Sequence, residues 1–247
     1  MKIVTWNCNG NFREKYKEII KDEDRNTIYV IQECENPNEP MDKYKEYKEF
    51  MEDNFFWTGN IHYKGLGIFA KDDVTLEKIE TNGNFEHFIL VRVNDSFNLL
   101  GVWAMGRDKE KGLNPYVEMI HDFLEANEDV FDENLVMCGD LNSNVVFNGH
   151  HKKKDIYGDP KDHTYLNMKL NCRHLFSAYH YLTGEEQGKE TKATFFQARH
   201  LNNHYHLDHV YSKKGVVKDL KIFDEKEWIT LSDHLPVVFE IDESKFD

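Results

Sequence analysis

The chain has 247 residues, 45 acidic against 31 basic, for a formal net charge of −14, and 40 % of it is hydrophobic and 13 % aromatic. This composition supplies a sizeable core and excludes a disordered polymer. The acidic balance argues against a broad, non-specific polyanion binder, but it leaves room for a local basic groove or for an anionic substrate drawn in by a bound divalent cation.

No Pro-, Gly- or Ser-rich linker divides the sequence and no internal repeat is visible, so residues 1–247 are expected to form one domain. Cys8, Cys34, Cys138 and Cys172 stand apart, without a CxxC pair, and are expected to be reduced thiols, most of them in the core. The opening MKIVTWNCNG is broken by Asn7 and Asn9 before an apolar signal core could form, and no apolar run is long enough to span a membrane. The expectation is a cytoplasmic protein with no membrane partner. Its oligomeric state is not legible.

In chain order, KIVTW at 2–6 predicts a strand, and the i, i+4, i+7, i+8 spacing of Phe12, Tyr16, Ile19 and Ile20 predicts a helix after it. TIYVIQ at 27–32, LGIFA at 66–70, FILVRV at 88–93 and NLLGVWA at 98–104 predict further strands, the last three so closely spaced that hairpins are expected. Pro115 opens a helical stripe of Tyr116, Val117, Ile120, Phe123 and Leu124. LVMCG at 135–139 is a strand, the Asn-, Gly-, His- and Lys-containing stretch 142–164 reads as a long surface loop, and LDHVY at 207–211 and PVVFEI at 236–241 are strands again. Helices separate only some of these strands, which predicts a mixed α/β protein with sheets between helical layers.

Several predicted strands end in polar residues: the first in Asn7 and Asn9, the second in Glu33, and the strand 135–139 in Asp140 and Asn142, while Ser232-Asp233-His234 precedes the last. One such carboxylate is usually a cap or a turn former. The same habit at separate strand ends instead predicts a single acidic cluster held rigidly by the sheets. Hard oxygen donors without thiolates suit Mg²⁺ or Mn²⁺, which bind through few carboxylates and keep positions for water and phosphate oxygens. Asp140 and Asn142, two residues apart, are expected to share one face of an extended segment and so one pocket.

The segments MKIVTWNCNG, IQE at 31–33, GDLN at 139–142, LDHVY at 207–211 and SDHLPVVFEI at 232–241 resemble, in order and over essentially the whole chain, the motifs of the endonuclease/exonuclease/phosphatase superfamily, most of all its exonuclease III and abasic-endonuclease branch. The resemblance implies a four-layer α/β/β/α sandwich of two mixed sheets flanked by helices, and a hydrolase of the DNA-repair type that cleaves phosphodiester bonds in DNA with Mg²⁺ or Mn²⁺. It further implies Glu33 as the main metal ligand with Asn7 and Asp233 in support. Asp140 would orient or deprotonate the attacking water, Asn142 would hold that water and a phosphate oxygen, and Asp208 would pair with His234 and fix its tautomer. Elementary chemistry points the same way, because a hydroxide approaches an anionic phosphodiester only with help from cations or donors.

Asn9, Trp103, Tyr205 and Lys152 are candidate substrate contacts. Trp103 departs from the tyrosine or histidine of the nuclease branch; an indole can donate one hydrogen bond or stack, but it cannot act as a general acid near neutral pH. It can also be simple core. Tyr205 and Phe195 fall where abasic endonucleases build a sugar-accepting wall, and both also fit ordinary strand positions. His200, His204, His206 and His209 match no common zinc spacing. Lys152-Lys153-Lys154, and a second basic run of Arg107, Lys109 and Lys111, suit either a solvated loop or a phosphate backbone.

The favoured function is therefore exonuclease III-like, with DNA as substrate. The alternative within the fold is a phosphatase or phosphodiesterase acting on a nucleotide or phosphoinositide, which the acidic surface and Trp103 favour, although the inositol-phosphatase motifs are replaced here by NLVMCGDLN and HYHLDHVY. A third possibility is an inactive phosphate-binding module. The presence together of Glu33, Asp140, Asn142, Asp208 and His234 speaks against it.

Overall fold

A computed structural model describes residues 1–21, 25–52, 54–71, 73–105, 115–148 and 162–246. One six-stranded sheet runs in the order β13 (Val217–Ile222), β14 (Val237–Ile241), β1 (Lys2–Asn7), β2 (Thr27–Cys34), β4 (Lys64–Ala70), β3 (Phe55–Ile61). The second runs β5 (Leu76–Lys78), β6 (Phe88–Val93), β7 (Phe97–Trp103), β8 (Leu135–Asp140), β12 (Asp208–Ser212), β9 (Phe176–Ser177). Each holds one parallel pair, β1 with β2 and β7 with β8, among antiparallel neighbours, so both sheets are mixed. A small hairpin, β10 (Phe195–Phe196) with β11 (His204–Tyr205), stands apart.

Alternation within the strands builds the layers. In β1, Ile3 joins Ile28, Val30 and Ile68 in facing Val91, Leu99 and Val136 of the other sheet, while Val4 and Trp6 point outward onto α1 (Phe12–Ile19) and α2 (Lys45–Met51). In the second sheet Leu100, Val102 and Met137 point outward onto α3 (Pro115–Ala126) and α4 (His163–Asn171). Both faces of each sheet are thus covered, which is why the central strands are continuous apolar runs. At about 1.5–3 kcal/mol for each fully buried Val, Leu, Ile or Phe, this double burial is the main stabilising term. The result is the expected four-layer α/β/β/α sandwich. Among the described residues, no helix is long and apolar enough to cross a membrane.

Several local expectations need adjustment. Only β6 and β7 form the expected hairpin within 66–104; after β4 the chain crosses to the other sheet. The stretch 142–164 is no continuous loop, because Val145–Phe147 forms a 3₁₀ turn and α4 begins at His163, capped by the Asp162 side chain accepting from the Thr164 N–H. Cys8, Cys34 and Cys138 are buried free thiols and Cys172 is exposed.

Candidate active site

The polar strand ends converge at one mouth of the sandwich. In the second sheet the register lines up Trp103, Asp140 and Asp208 across β7, β8 and β12. The first sheet brings Asn7 at the end of β1 and Glu33 near the end of β2 against them. Asn7 joins the sheets, its Nδ2 donating to Asp140 Oδ2 at 2.9 Å and to Glu33 Oε1 at 3.3 Å.

Each side chain has a local reason for its position. Glu33 sits at φ 62° where the β2–β4 register shifts, so a bulge takes its carboxylate out of the alternation that would otherwise bury it. Gly139 has φ 145°, and a Cβ there would overlap the carbonyl oxygen of Val102, so only glycine lets β8 run this close to β7 just before Asp140. His234 is held by its backbone: its N–H donates to Ser232 Oγ at 3.0 Å, its carbonyl accepts from Trp6 Nε1 at 3.0 Å, and Ser232 Oγ donates to the Asn7 carbonyl at 2.7 Å. Thr194 Oγ1 accepts from the N–H groups of Leu207 and Asp208 and thereby sets the start of β12.

Asp140 and Asn142 do not share a face of an extended segment. Asn142 has φ 47°, so the strand ends in a turn in which Asp140 Oδ1 accepts the Asn142 N–H at 2.8 Å. The amide is folded back, with Nδ2 donating to Asp140 Oδ2 at 3.0 Å and to the Ala104 carbonyl at 2.9 Å. Both donors of the Asn142 amide are therefore committed to the protein, which corrects the expectation that it donates to a phosphate oxygen: it fixes Asp140 and has only its oxygen to offer.

His234 Nδ1 lies 2.9 Å from Asp208 Oδ2, and its Nε2 lies 3.9 Å from Asp140 Oδ2. Burial alone would depress this imidazole, but the charges of Asp208 and then Asp140 outweigh it and push its pKa up to about 10. Burial raises Asp140 to about 7, against the attraction of His234. The His234 ring is thus held between the Asp208 and Asp140 side chains.

The donor set suits a hard divalent cation. Asp208 Oδ1 is buried without a hydrogen-bond partner, a lone pair waiting for a ligand or a donor. Among the described residues, the one group whose potential ligand atoms all lie within 4.8 Å is Asp140, Asp208 and His234. Glu33, whose carboxylate lies at the rim of this cluster and is bridged to Asp140 by Asn7, is a further hard oxygen donor beside it. Asn7 Oδ1 accepts from the Asn9 N–H at 3.0 Å and keeps one lone pair. The Asp233 side chain is half-buried, and its negative charge contributes to raising His234.

Asn9 is exposed at the rim. Trp103 is buried, its ring packed on His87 at 4.7 Å between centroids, with the Lys64 ammonium 5.4 Å from its own centroid. Phe195 packs on the His234 ring at 4.6 Å, pairs with Tyr205 across β10 and β11, and Tyr205 packs on Phe147 at 4.9 Å. These aromatics form a wall beside the acidic cluster. His204, His206 and His209 each place one ring nitrogen against a backbone carbonyl. Lys152 and its neighbours, and Arg107, Lys109 and Lys111, lie outside the described residues.

Sequence reading missed Lys64, whose Nζ is 3.0 Å from Glu33 Oε2, as well as Thr194 and His87, and gave Ser232 no role of its own. Lys64 lies in YKGLG, which reads only as the start of a strand. The serine of SDH carried a usable signal, since a hydroxyl two residues before a functional side chain commonly accepts its backbone N–H.

The sequence pattern described as the Endonuclease/Exonuclease/phosphatase family matches residues 4–234. Sequence comparison with curated proteins returns no match. Among solved structures, the chain is similar to a 3′-phosphatase from Neisseria, NExo, bound to a product DNA hairpin (20 % identity, 98 % of this chain and 99 % of that one, TM-score 0.67). It is similar also to an AP endonuclease from Archaeoglobus fulgidus (17 % identity, 98 % and 99 %, TM-score 0.68) and to the catalytic domain of APE2 from Xenopus laevis (16 % identity, 98 % and 91 %, TM-score 0.61).

Proposed function

The chain belongs to the endonuclease/exonuclease/phosphatase family, and from that premise we propose that it hydrolyses phosphodiester bonds in DNA with a divalent cation, Mg²⁺ or Mn²⁺. The observation that carries this reading is the convergence at one mouth of Glu33, the Asn7–Asp140 bridge and the Asp208–His234 pair.

Glu33, with Asn7 and Asp233 in support, would hold the cation, which when bound offsets the charge of the phosphate. The remaining roles belong to the protein's own groups. Asp140, raised to about 7 by burial, is an acceptor poised near neutral pH for the proton of an attacking water. Asn142 keeps both Asp140 oxygens in place through its backbone and side-chain N–H groups. His234, fixed by Asp208 at Nδ1, presents a charged Nε2–H donor to a phosphate oxygen where negative charge accumulates. Phe195 and Tyr205 offer an apolar wall to the sugar beside that phosphate. The similarity to the NExo structure bound to a product DNA hairpin and to the AP endonuclease from Archaeoglobus fulgidus supports DNA as the substrate.

The net charge of −14 favours a second reading, a phosphatase of small phosphorylated molecules. The test is a substrate panel in Mg²⁺: duplex DNA, nucleotides and inositol phosphates. Cleaved DNA supports the nuclease; phosphate release from the small molecules alone supports the phosphatase.

A further inference from the structure

Lys64 opens β4 at the foot of the β3–β4 hairpin, and close packing of the adjacent Gly65 on Trp57 and Thr58 fixes the backbone from which its side chain leaves. The ammonium sits 3.0 Å from Glu33 Oε2 and 5.4 Å from the centre of the Trp103 ring. It also helps hold His87 neutral, whose imidazole is depressed to about 4 by burial first and by the Lys64 charge second. Each Glu33 carboxylate oxygen thereby has one donor, Oε1 the Asn7 amide and Oε2 the Lys64 ammonium. A divalent cation and this ammonium cannot both sit on Glu33 Oε2 without like-charge repulsion.

Resting on the function proposed above, we propose that Lys64 is a stand-in cation: it neutralises Glu33 while the metal is absent, and when a divalent cation takes Glu33 its ammonium is handed to a non-bridging phosphate oxygen of the substrate. Trp103 is what makes the hand-over local. Its ring face attracts the released ammonium and keeps it in the cleft, with the neutral His87 packed edge-to-face on the ring adding no competing charge. An indole serves this purpose better than the phenol or imidazole of the nuclease branch, since it is the strongest cation binder of the three and cannot itself become charged. The groove lined by Asn9, Arg13, Lys43, Tyr44, Tyr63 and Lys64 opens directly beside Glu33, and of its cations Arg13 is already paired with Glu35 while Lys64 is the one in contact with Glu33.

The test begins with metal binding and needs no turnover. Mn²⁺ titration of the metal-stripped protein, with free Mn²⁺ read by electron paramagnetic resonance, is run on the parent, Lys64→Met and Lys64→Arg, with Glu33→Gln identifying the site. Lys64→Met is expected to bind Mn²⁺ about three- to tenfold tighter, and Lys64→Arg about as the parent does. At saturating Mn²⁺, Lys64→Met is then expected to raise KM for DNA about tenfold with kcat within about threefold, as loss of a phosphate-binding cation requires. Equal or weaker Mn²⁺ binding by Lys64→Met, with Glu33-dependent binding in the parent, overturns the stand-in role and leaves the metal reading standing; an unchanged KM overturns the hand-over to phosphate. A parent protein that takes up no Mn²⁺ overturns the metal reading and this proposal with it.

Discussion

Asn7 and Asp140 are hydrogen-bonded across the gap between the two sheets, amide nitrogen to carboxylate at 2.9 Å, and the same nitrogen reaches Glu33 at 3.3 Å. One amide therefore sets the distance between the proposed metal-holding group and the proposed base. A hydrogen bond to a charged group contributes about 1.5–3 kcal/mol, so Asn7→Ala is expected to lower kcat/KM roughly 10- to 150-fold. Because this bond favours the ionised form of Asp140, its loss also moves the acid limb of the pH–rate profile to higher pH, which a profile of parent and variant checks.

Asp140→Asn separates chemistry from stability. The carboxyl is fully buried and raised from 3.8 to about 7, so its ionisation opposes folding: the cost is absent below pH 3.8, grows through the interval, and is complete above about 7. The variant is expected to lose several orders of magnitude in turnover, yet to melt higher than the parent at pH 8, with the difference gone at pH 4. A melting temperature below the parent's at pH 8 contradicts the burial argument, and near-parental turnover removes Asp140 from the mechanism.

Asp208→Asn tests the charge on His234. The imidazole is held up to about 10, well above 6.5, so its pairing contributes stability that is fully present below pH 6.5 and is lost as pH rises through about 10. Without the Asp208 charge that pKa falls, and the alkaline limb of the pH–rate profile is expected to move toward neutrality, with a drop in kcat at pH 8. An unmoved alkaline limb means His234 is not the titrating acid.

Gly139→Ala is expected to destabilise the fold itself, because a methyl group there overlaps the Val102 carbonyl oxygen at a backbone angle that L-residues rarely adopt. The cost is about 3 kcal/mol or more, a fall in melting temperature of about 6–12 °C for a chain of this size. Calorimetry of the two proteins decides it.

The layers were legible because strands covered on both faces leave unbroken apolar runs: FILVRV at 88–93 is β6 without adjustment, and KIVTW gains only Asn7. The strands β3 and β13 were not legible, the first an edge strand of partly exposed residues in FFWTGNI, the second with its exposed face carrying Lys218, Asp219 and Lys221. Within the site, the convergence of Glu33, Asp140, Asp208 and His234 was legible because each closes or flanks an apolar run. Their conformations were not. The bulge at Glu33 and the turn at Asn142 arise from register and backbone angle, and sequence spacing read as extended chain gave Asn142 the wrong direction. Lys64 escaped notice because its partner lies 31 positions away, joined only through the sheet.

The most direct test of the central claim is a gel of end-labelled duplex DNA, with and without one abasic site, incubated with the protein in Mg²⁺ and in EDTA. The account predicts shortened DNA in Mg²⁺, none in EDTA, and none with Asp140→Asn under either condition. Intact DNA in Mg²⁺, or cleavage that persists in EDTA or in Asp140→Asn, would contradict it.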